Sequence, residues 1–96
     1  MKQIEIEILS DTINCPVVSV PGRKYPGVVI QGDSLAILYG LAVEIEMQTA
    51  SIHDEEIAAT IDHLKRKLSA YVEEYETTMK AHGRDLPYSK PQSGNQ

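Results

Sequence analysis

The strongest structural signal in this 96-residue chain is a repeat of large apolar side chains in its second half. They recur at alternating intervals of four and three residues, the heptad spacing of a helix face that packs against another helix. Ser51 is the predicted N-cap of this helix, and Gly83 is the predicted stop after His82. The pattern predicts one long helix, whose heptad stripe consists of Ile57, Ile61, Leu64, Leu68, Tyr71 and Tyr75.

A helix of this length would outrun the rest of a small fold. At about 1.5 Å per residue it is on the order of 40 Å long, whereas a typical strand spans roughly 17–20 Å. About half of the helix would then extend beyond a sheet and leave apolar surface uncovered. The chain has no Trp and no Phe for its core, and small cores gain from oligomerisation. We therefore expect a homo-oligomer that uses the heptad stripe as its interface.

The first third of the chain has strand patterns. Isoleucines alternate with glutamates over 3–9, and β-branched residues are frequent in 15–20 and 28–31. Turn-forming residues separate these segments, and two Pro-Gly pairs border the loop 21–27. The segments predict three antiparallel strands.

A first helix is predicted over about 34–49. Asp33 or Ser34 can accept hydrogen bonds from its first turn, and Gly40 in its middle would allow another backbone to approach closely. Its apolar residues recur at intervals of three and four; they are Leu35, Leu38, Leu41, Ala42 and Ile45. The predicted fold class is α+β, a three-stranded antiparallel sheet followed by two helices, in a single domain over 1–83 with a flexible tail over 84–96.

Composition excludes several classes of partner. The net charge is −5 and the basic residues are divided between 23–24 and 65–67, so we expect no binding of double-stranded nucleic acid. No apolar run approaches the length of about 18 residues that a membrane span needs, and the N-terminus carries charges where a signal peptide is apolar. Cys15 is the single cysteine, expected as a small buried side chain. These features favour a cytoplasmic protein.

No motif indicates catalysis, a metal or a cofactor. His53 and His63 are ten residues apart, and the spacings His-x-x-x-His and Cys-x-x-Cys are missing from the sequence. His63 follows Asp62, but neighbours on a helix point in different directions. No motif joins a nucleophile, a base and an oxyanion donor. We therefore expect neither an enzyme nor a metal site.

The loop 21–27 is the candidate ligand site. It carries two cations and a phenol shortly before a helix start, a combination that suits a phosphate. Two tyrosines one turn apart on the long helix can stack on a base. The alternatives are a solvated hairpin loop and tyrosines that belong to the core or the oligomer interface. The predicted ligand-binding residues are Arg23, Lys24, Tyr25, Ser34, Tyr71 and Tyr75.

The segment 25–35 carries a family resemblance. It reads Tyr-Pro-Gly-Val-Val-Ile-Gln-Gly-Asp-Ser-Leu and resembles the signature of HicB-like antitoxin domains, in which Pro-Gly precedes a strand, Gly-Asp-Ser/Thr and an amphipathic helix. The resemblance covers eleven of the 96 residues. It implies a small βββα unit that oligomerises, with Asp33 and Ser34 at the start of the helix. The chain is also similar to short bacterial and phage proteins of unknown function.

Two hypotheses of function follow. The first is a non-enzymatic homo-oligomer, such as a phage protein, that binds or sequesters a small phosphorylated ligand, for example a nucleotide signal. The alternative is a protein-interaction module, such as a HicB-like antitoxin or a regulatory partner, that covers another chain with its acidic strand and heptad helix. The two differ at Arg23 and Lys24, which only the first hypothesis requires.

Overall fold

The computed structural model describes residues 2–89 and confirms the predicted fold class. A three-stranded antiparallel sheet in the order β1-β2-β3 precedes two helices. Its contacts group into two compact units, a sheet unit up to residue 31 and a helical unit from residue 32. The elements are β1 (Glu7–Ser10), β2 (Val17–Ser19), β3 (Gly27–Val28), α1 (Gly32–Gln48) and α2 (Glu55–Ala81).

The strands are shorter than their sequence patterns predict. β2 has three residues, and Pro16 and Pro21, which have no backbone N–H for a sheet ladder, lie on either side of it. Beyond β2, the backbone turns because Arg23 N–H donates to the Val20 carbonyl over 3.1 Å and Gly22 adopts a φ of 86°. β1 pairs only with this short β2, so the ladder begins at Glu7 rather than at residue 3.

The sheet is centred on Val18, which is 5% exposed. Val18 pairs with Ile8 of β1 and with Gly27 of β3, and a bulge interrupts the β1–β2 ladder between Ile8 and Ser10. The third strand ends at Val28 instead of continuing to residue 31. Both outer strands, β1 and β3, therefore pair with β2 over only a few residues.

The helical unit is an antiparallel hairpin. Gly32, at the start of α1, lies against Tyr75 of α2, while Glu46, near the end of α1, is bonded to Lys65. The two helices are joined by a short turn, in which Ile52 N–H donates to the Thr49 carbonyl over 2.9 Å. This geometry sets which side of each helix faces the other.

The start of α2 corrects the predicted N-cap. The cap is Asp54 and not Ser51, because the Asp54 carboxylate accepts hydrogen bonds from the backbone N–H groups of Glu56 (2.9 Å) and Ile57 (3.1 Å). A carboxylate there satisfies two free amides and also interacts favourably with the helix dipole. Ser51 lies in the preceding turn.

The end of α2 confirms the predicted stop. Gly83 has a φ of 64°, a left-handed conformation that glycine adopts without steric cost. Arg84 N–H donates to the Met79 carbonyl (2.9 Å) and Gly83 N–H to the Lys80 carbonyl (3.1 Å). These two bonds form a Schellman motif, which reverses the chain after His82.

The close approach expected at Gly40 occurs instead at Gly32. A Cβ atom built on Gly40 has no heavy atom within 4 Å, so within this chain Gly40 faces open space. A Cβ on Gly32 would overlap the ring of Tyr75. Gly32 is where α2 lies against the backbone of α1, so the small residue is needed at the start of the helix and not in its middle.

The chain returns to α2 after Gly83. Leu86 and Tyr88 are half-buried, and the Tyr88 hydroxyl donates to the Glu76 carboxylate over 2.9 Å. Burial, together with this bond, raises the pKa of Tyr88 to about 12. Of the predicted tail, residues 90–96 lie outside the described residues. Within residues 2–89 no helix has both the length and the apolar character needed to cross a lipid bilayer.

Candidate interaction surface

The facing sides of the hairpin follow a regular stripe on each helix. Buried and half-buried positions recur at intervals of three and four, as expected for two helices packed along their length. On α1 this inner stripe contains Gly32, Leu35, Tyr39, Ala42 and Glu46. On α2 it contains Ile61, Lys65, Leu68, Val72 and Tyr75.

The predicted heptad stripe is divided between two environments. Ile61, Leu68 and Tyr75 are half-buried and belong to the inner stripe. The other three members are exposed: Ile57 by 42%, Leu64 by 47% and Tyr71 by 59%. The contact line of α2 is therefore rotated from the centre of the apolar stripe.

The exposed half of the stripe has a counterpart on α1. Leu38, Leu41 and Ile45 are 41%, 51% and 43% exposed. At 100° per residue they lie to one side of the inner stripe of α1, and Ile57, Leu64 and Tyr71 lie to the corresponding side of α2. Because the helices are antiparallel, these two sides form one surface of the hairpin. We call it the outer apolar face: Leu38, Leu41, Ile45, Ile57, Leu64 and Tyr71.

Charge is distributed unevenly around the hairpin. The segment 34–43, which contributes two residues to the outer apolar face, contains no Asp, Glu, Lys or Arg. The opposite side of α2 carries Asp62, Arg66 and Glu76, and Arg66 Nε lies 2.9 Å from Asp62 Oδ2. On α2, the side with Asp62, Arg66 and Glu76 is thus charged, whereas the side with Ile57, Leu64 and Tyr71 presents apolar side chains.

An ion pair joins the helices inside the hairpin. Lys65 Nζ donates to both carboxylate oxygens of Glu46, over 3.0 and 2.8 Å, and the side chains are 28% and 43% exposed. The bond to Glu46 raises the pKa of the Lys65 ammonium. Lys65, one of the basic residues of 65–67, is thus paired with Glu46 in this structure.

A small cavity adjoins the outer apolar face at the turn of the hairpin. Its volume is about 200 Å³, below the roughly 300–1,000 Å³ of small-molecule sites. It has room for an inserted side chain. It is lined by Glu46, Thr49, Ala50, Ile52, Ile57, Ala58 and Ile61.

The predicted ligand-binding residues occupy different places. Arg23, Lys24 and Tyr25 share the exposed loop between β2 and β3, where Lys24 Nζ lies 5.4 Å from the centre of the Tyr25 ring. Tyr71 and Tyr75 share α2, but Tyr71 is exposed and Tyr75 packs against Gly32. The structure thus forms no stacking pair from the two tyrosines.

Ser34, the remaining predicted ligand residue, is half-buried in the first turn of α1. Its backbone N–H donates to Asp33 Oδ1 over 2.8 Å. A carboxylate therefore occupies the position near the helix N-terminus where a phosphate would bind most favourably.

The sheet unit also exposes apolar side chains. Ile4, Ile6 and Ile8 are 58%, 45% and 60% exposed, and they alternate with Glu5 and Glu7 along the N-terminal segment and β1. Among residues 2–89 no cluster of three or more His, Cys, Asp or Glu side chains is placed to hold a metal ion. Both units thus expose large apolar side chains.

Three residues of the outer apolar face were missed by sequence reasoning. From the sequence, Leu38, Leu41 and Ile45 were grouped with Leu35 and Ala42 in one apolar face of the helix, because their spacing suits a single face, and their exposure was not predicted. The available signal was the uncharged segment 34–43, since a helix that buries only one side normally carries charges on the other.

Comparison with known proteins gives a family but no activity. A family model described as a family of unknown function (DUF6959) matches residues 1–88. No curated protein and no solved structure matches the chain.

Proposed function

This chain belongs to the DUF6959 family, whose function is unknown, and we propose that it is a protein-interaction module that acts by covering its apolar surfaces with another polypeptide. The observation that carries the proposal is the exposure of large apolar side chains on regular helices and strands. Within residues 2–89 the buried apolar side chains are Val18, Leu35, Ala42 and Val72. In this part of the chain, the large apolar side chains that are exposed outnumber these buried ones.

Burial of these exposed apolar side chains against another chain would stabilise the protein. Removing apolar surface from water contributes roughly 25 cal/mol per Å². Isolated exposed apolar residues are common on soluble proteins, but a contiguous face with a regular repeat marks an interaction site. The outer apolar face has that regularity, and its six members come from two helices that hold each other in place.

The Lys24–Tyr25 pair favours a second candidate function. Lys24 lies over an aromatic ring that is 73% exposed, and Arg23 is its neighbour in the loop. Such a group can hold a small phosphorylated ligand by charge and stacking. Binding of a nucleotide signal by this loop stays a prediction, as does the relation to HicB-like antitoxins.

Native mass spectrometry of protein purified from cells tests the proposed function. We expect an assembly that contains more than one polypeptide, either copies of this chain or this chain with another protein. A monomer without any associated polypeptide, measured at tens of micromolar, would contradict the proposal. Extra mass of a few hundred daltons that Arg23→Glu removes would favour the small-ligand hypothesis.

A further inference from the structure

We propose that the outer apolar face of the helical hairpin packs against the same face of a second copy of the chain, so that two hairpins form a four-helix bundle. The inference rests on the proposed function and specifies the surface and the partner. The first supporting observation is the repeat of apolar residues on each helix. Leu38 and Ile45 are seven residues apart on α1, and Ile57, Leu64 and Tyr71 repeat at the same interval on α2.

A heptad repeat is the spacing that fits another helix. Side chains at this interval insert between those of a facing helix with a small crossing angle. A lipid surface fits less well, because membrane-binding helices carry many Lys and Arg residues beside their apolar side. Here the border of the face on α2 carries Glu56, Lys67 and Glu74, and the chain has a net charge of −5.

The side of the hairpin that carries the outer apolar face has nearly the dimensions of a dimer interface. α1 has 17 residues and α2 has 27, which correspond to lengths of about 26 and 40 Å. With each helix about 10 Å wide, the hairpin offers a footprint of roughly 700 Å². Stable complexes bury about 800 Å² per partner, so the whole side of the hairpin, the outer apolar face together with its charged border, supplies nearly the area that a dimer needs.

The outer apolar face is complementary to itself, which favours a second copy of the chain over an unrelated protein as its partner. In a two-fold dimer the same patch lies on both sides, so apolar residues meet apolar residues without any further matching. The border of the face has both signs of charge, which avoids a repulsion of one sign against itself. The charged side of the hairpin, with Asp62 and Arg66, would stay in water on the outside of the bundle.

Leu64→Arg is the variant that tests the interface, and Met47→Arg is its matched control. Both positions are exposed apolar helix residues, Leu64 by 47% and Met47 by 72%, but Met47 lies on the other side of the hairpin. Light scattering after size-exclusion chromatography, over a range of concentrations, would give the mass. We expect a dimer of the 10.6 kDa chain, at least about a 30-fold weaker dimer for Leu64→Arg, and no change for Met47→Arg.

The other outcomes distinguish a failure of this inference from a failure of the proposed function. A folded Leu64→Arg that stays dimeric, with Ile8→Arg becoming monomeric, would overturn this inference and place self-association on the sheet unit. A wild-type chain that binds a different protein and never itself would also overturn it while leaving the proposed function intact. A monomer without any partner contradicts both. Circular dichroism checks the fold, and Leu41→Arg, at a position 51% exposed, carries the same expectation if Leu64→Arg unfolds.

Discussion

Gly32 is fixed as a glycine by the ring of Tyr75. A Cβ at this position overlaps the ring, so either the ring or the start of α1 must move, and overpacking of this kind costs about 1–3 kcal/mol. We expect Gly32→Ala to lower the free energy of unfolding by that amount, measured by urea denaturation with circular dichroism. A Gly32→Ala chain as stable as wild type would contradict the packing of Tyr75 described above.

Gly40→Ala is the control for this substitution. It adds the same methyl group to the same helix, but no heavy atom lies within 4 Å of the new Cβ. Since alanine is favoured over glycine in a helix interior by up to about 1 kcal/mol, we expect a rise in stability. A loss of stability there would reveal a contact that one copy of the chain does not contain.

The ionisation of the Tyr88 hydroxyl at high pH tests whether this side chain is buried against α2. Burial, with the hydrogen bond to Glu76, raises its pKa from the ordinary value of 10.0 to about 12. The folded state thus favours the protonated hydroxyl, so the contribution to stability is complete below pH 10 and is lost as the pH rises through about 12. In an absorbance titration at 295 nm, we expect Tyr88→Phe to remove a component near pH 12. Loss of a component near pH 10 would show that Tyr88 is not buried against α2.

At the scale of the elements, the start of α2 depends on Asp54. Its carboxylate accepts two backbone amides, and N-cap removal costs about 1 kcal/mol. We expect Asp54→Ala to lower stability by about that amount in thermal denaturation, and Ser51→Ala to have little effect. A larger loss of stability for Ser51→Ala than for Asp54→Ala would show that Ser51 is the N-cap.

The Glu46–Lys65 pair couples the two helices. Both side chains are partly exposed, 43% and 28%, so solvent screening keeps the coupling below about 1 kcal/mol. We expect a double-mutant cycle with Glu46→Gln and Lys65→Met to give about 0.5–1 kcal/mol, decreasing with added salt. The Asp62–Arg66 pair is more exposed and serves as the comparison, with a smaller coupling. Equal couplings would contradict the partly buried position of Lys65.

The helices and strands also show which structural features can be predicted from local sequence signals. Heptad spacing and the glycine after His82 were sufficient to predict α2 and its end, because both signals act within one helix. The length of β1 depends on its partner, and that partner is shortened by Pro16 and Pro21. The alternation of Ile and Glu over 3–9 predicts that this segment is a strand, but it contains no information on the length of the strand with which it pairs.

At the scale of the whole chain, the fold class followed from the order of patterns, but the surface did not. Sequence reasoning placed all six heptad residues in one interface, whereas the structure divides them by the rotation of α2 toward Val72 and Lys65. That rotation depends on contacts with α1, such as Tyr75 on Gly32 and Glu46 on Lys65. Such contacts join residues far apart in sequence and leave no trace in the spacing of one helix.

Self-association would make the thermal stability depend on concentration. If two folded chains share the outer apolar face, unfolding also dissociates them, and mass action raises the midpoint as the protein is concentrated. We expect a tenfold increase to raise Tm by roughly 3–6 °C for the wild type. Leu64→Arg would have a constant midpoint. A wild-type Tm that is independent of concentration would exclude coupled folding and dimerisation.

The unequal lengths of the two helices imply a gradient of amide hydrogen exchange along α2. Tyr75 lies opposite the first residue of α1, so within the helical unit the last turns of α2, as far as Ala81, extend past α1 and are followed by the returning segment with Leu86 and Tyr88. Local opening needs less free energy where fewer packed contacts must break. Amides near Val72 would therefore exchange slowest, and those beyond Glu76 would exchange early, before the hairpin opens.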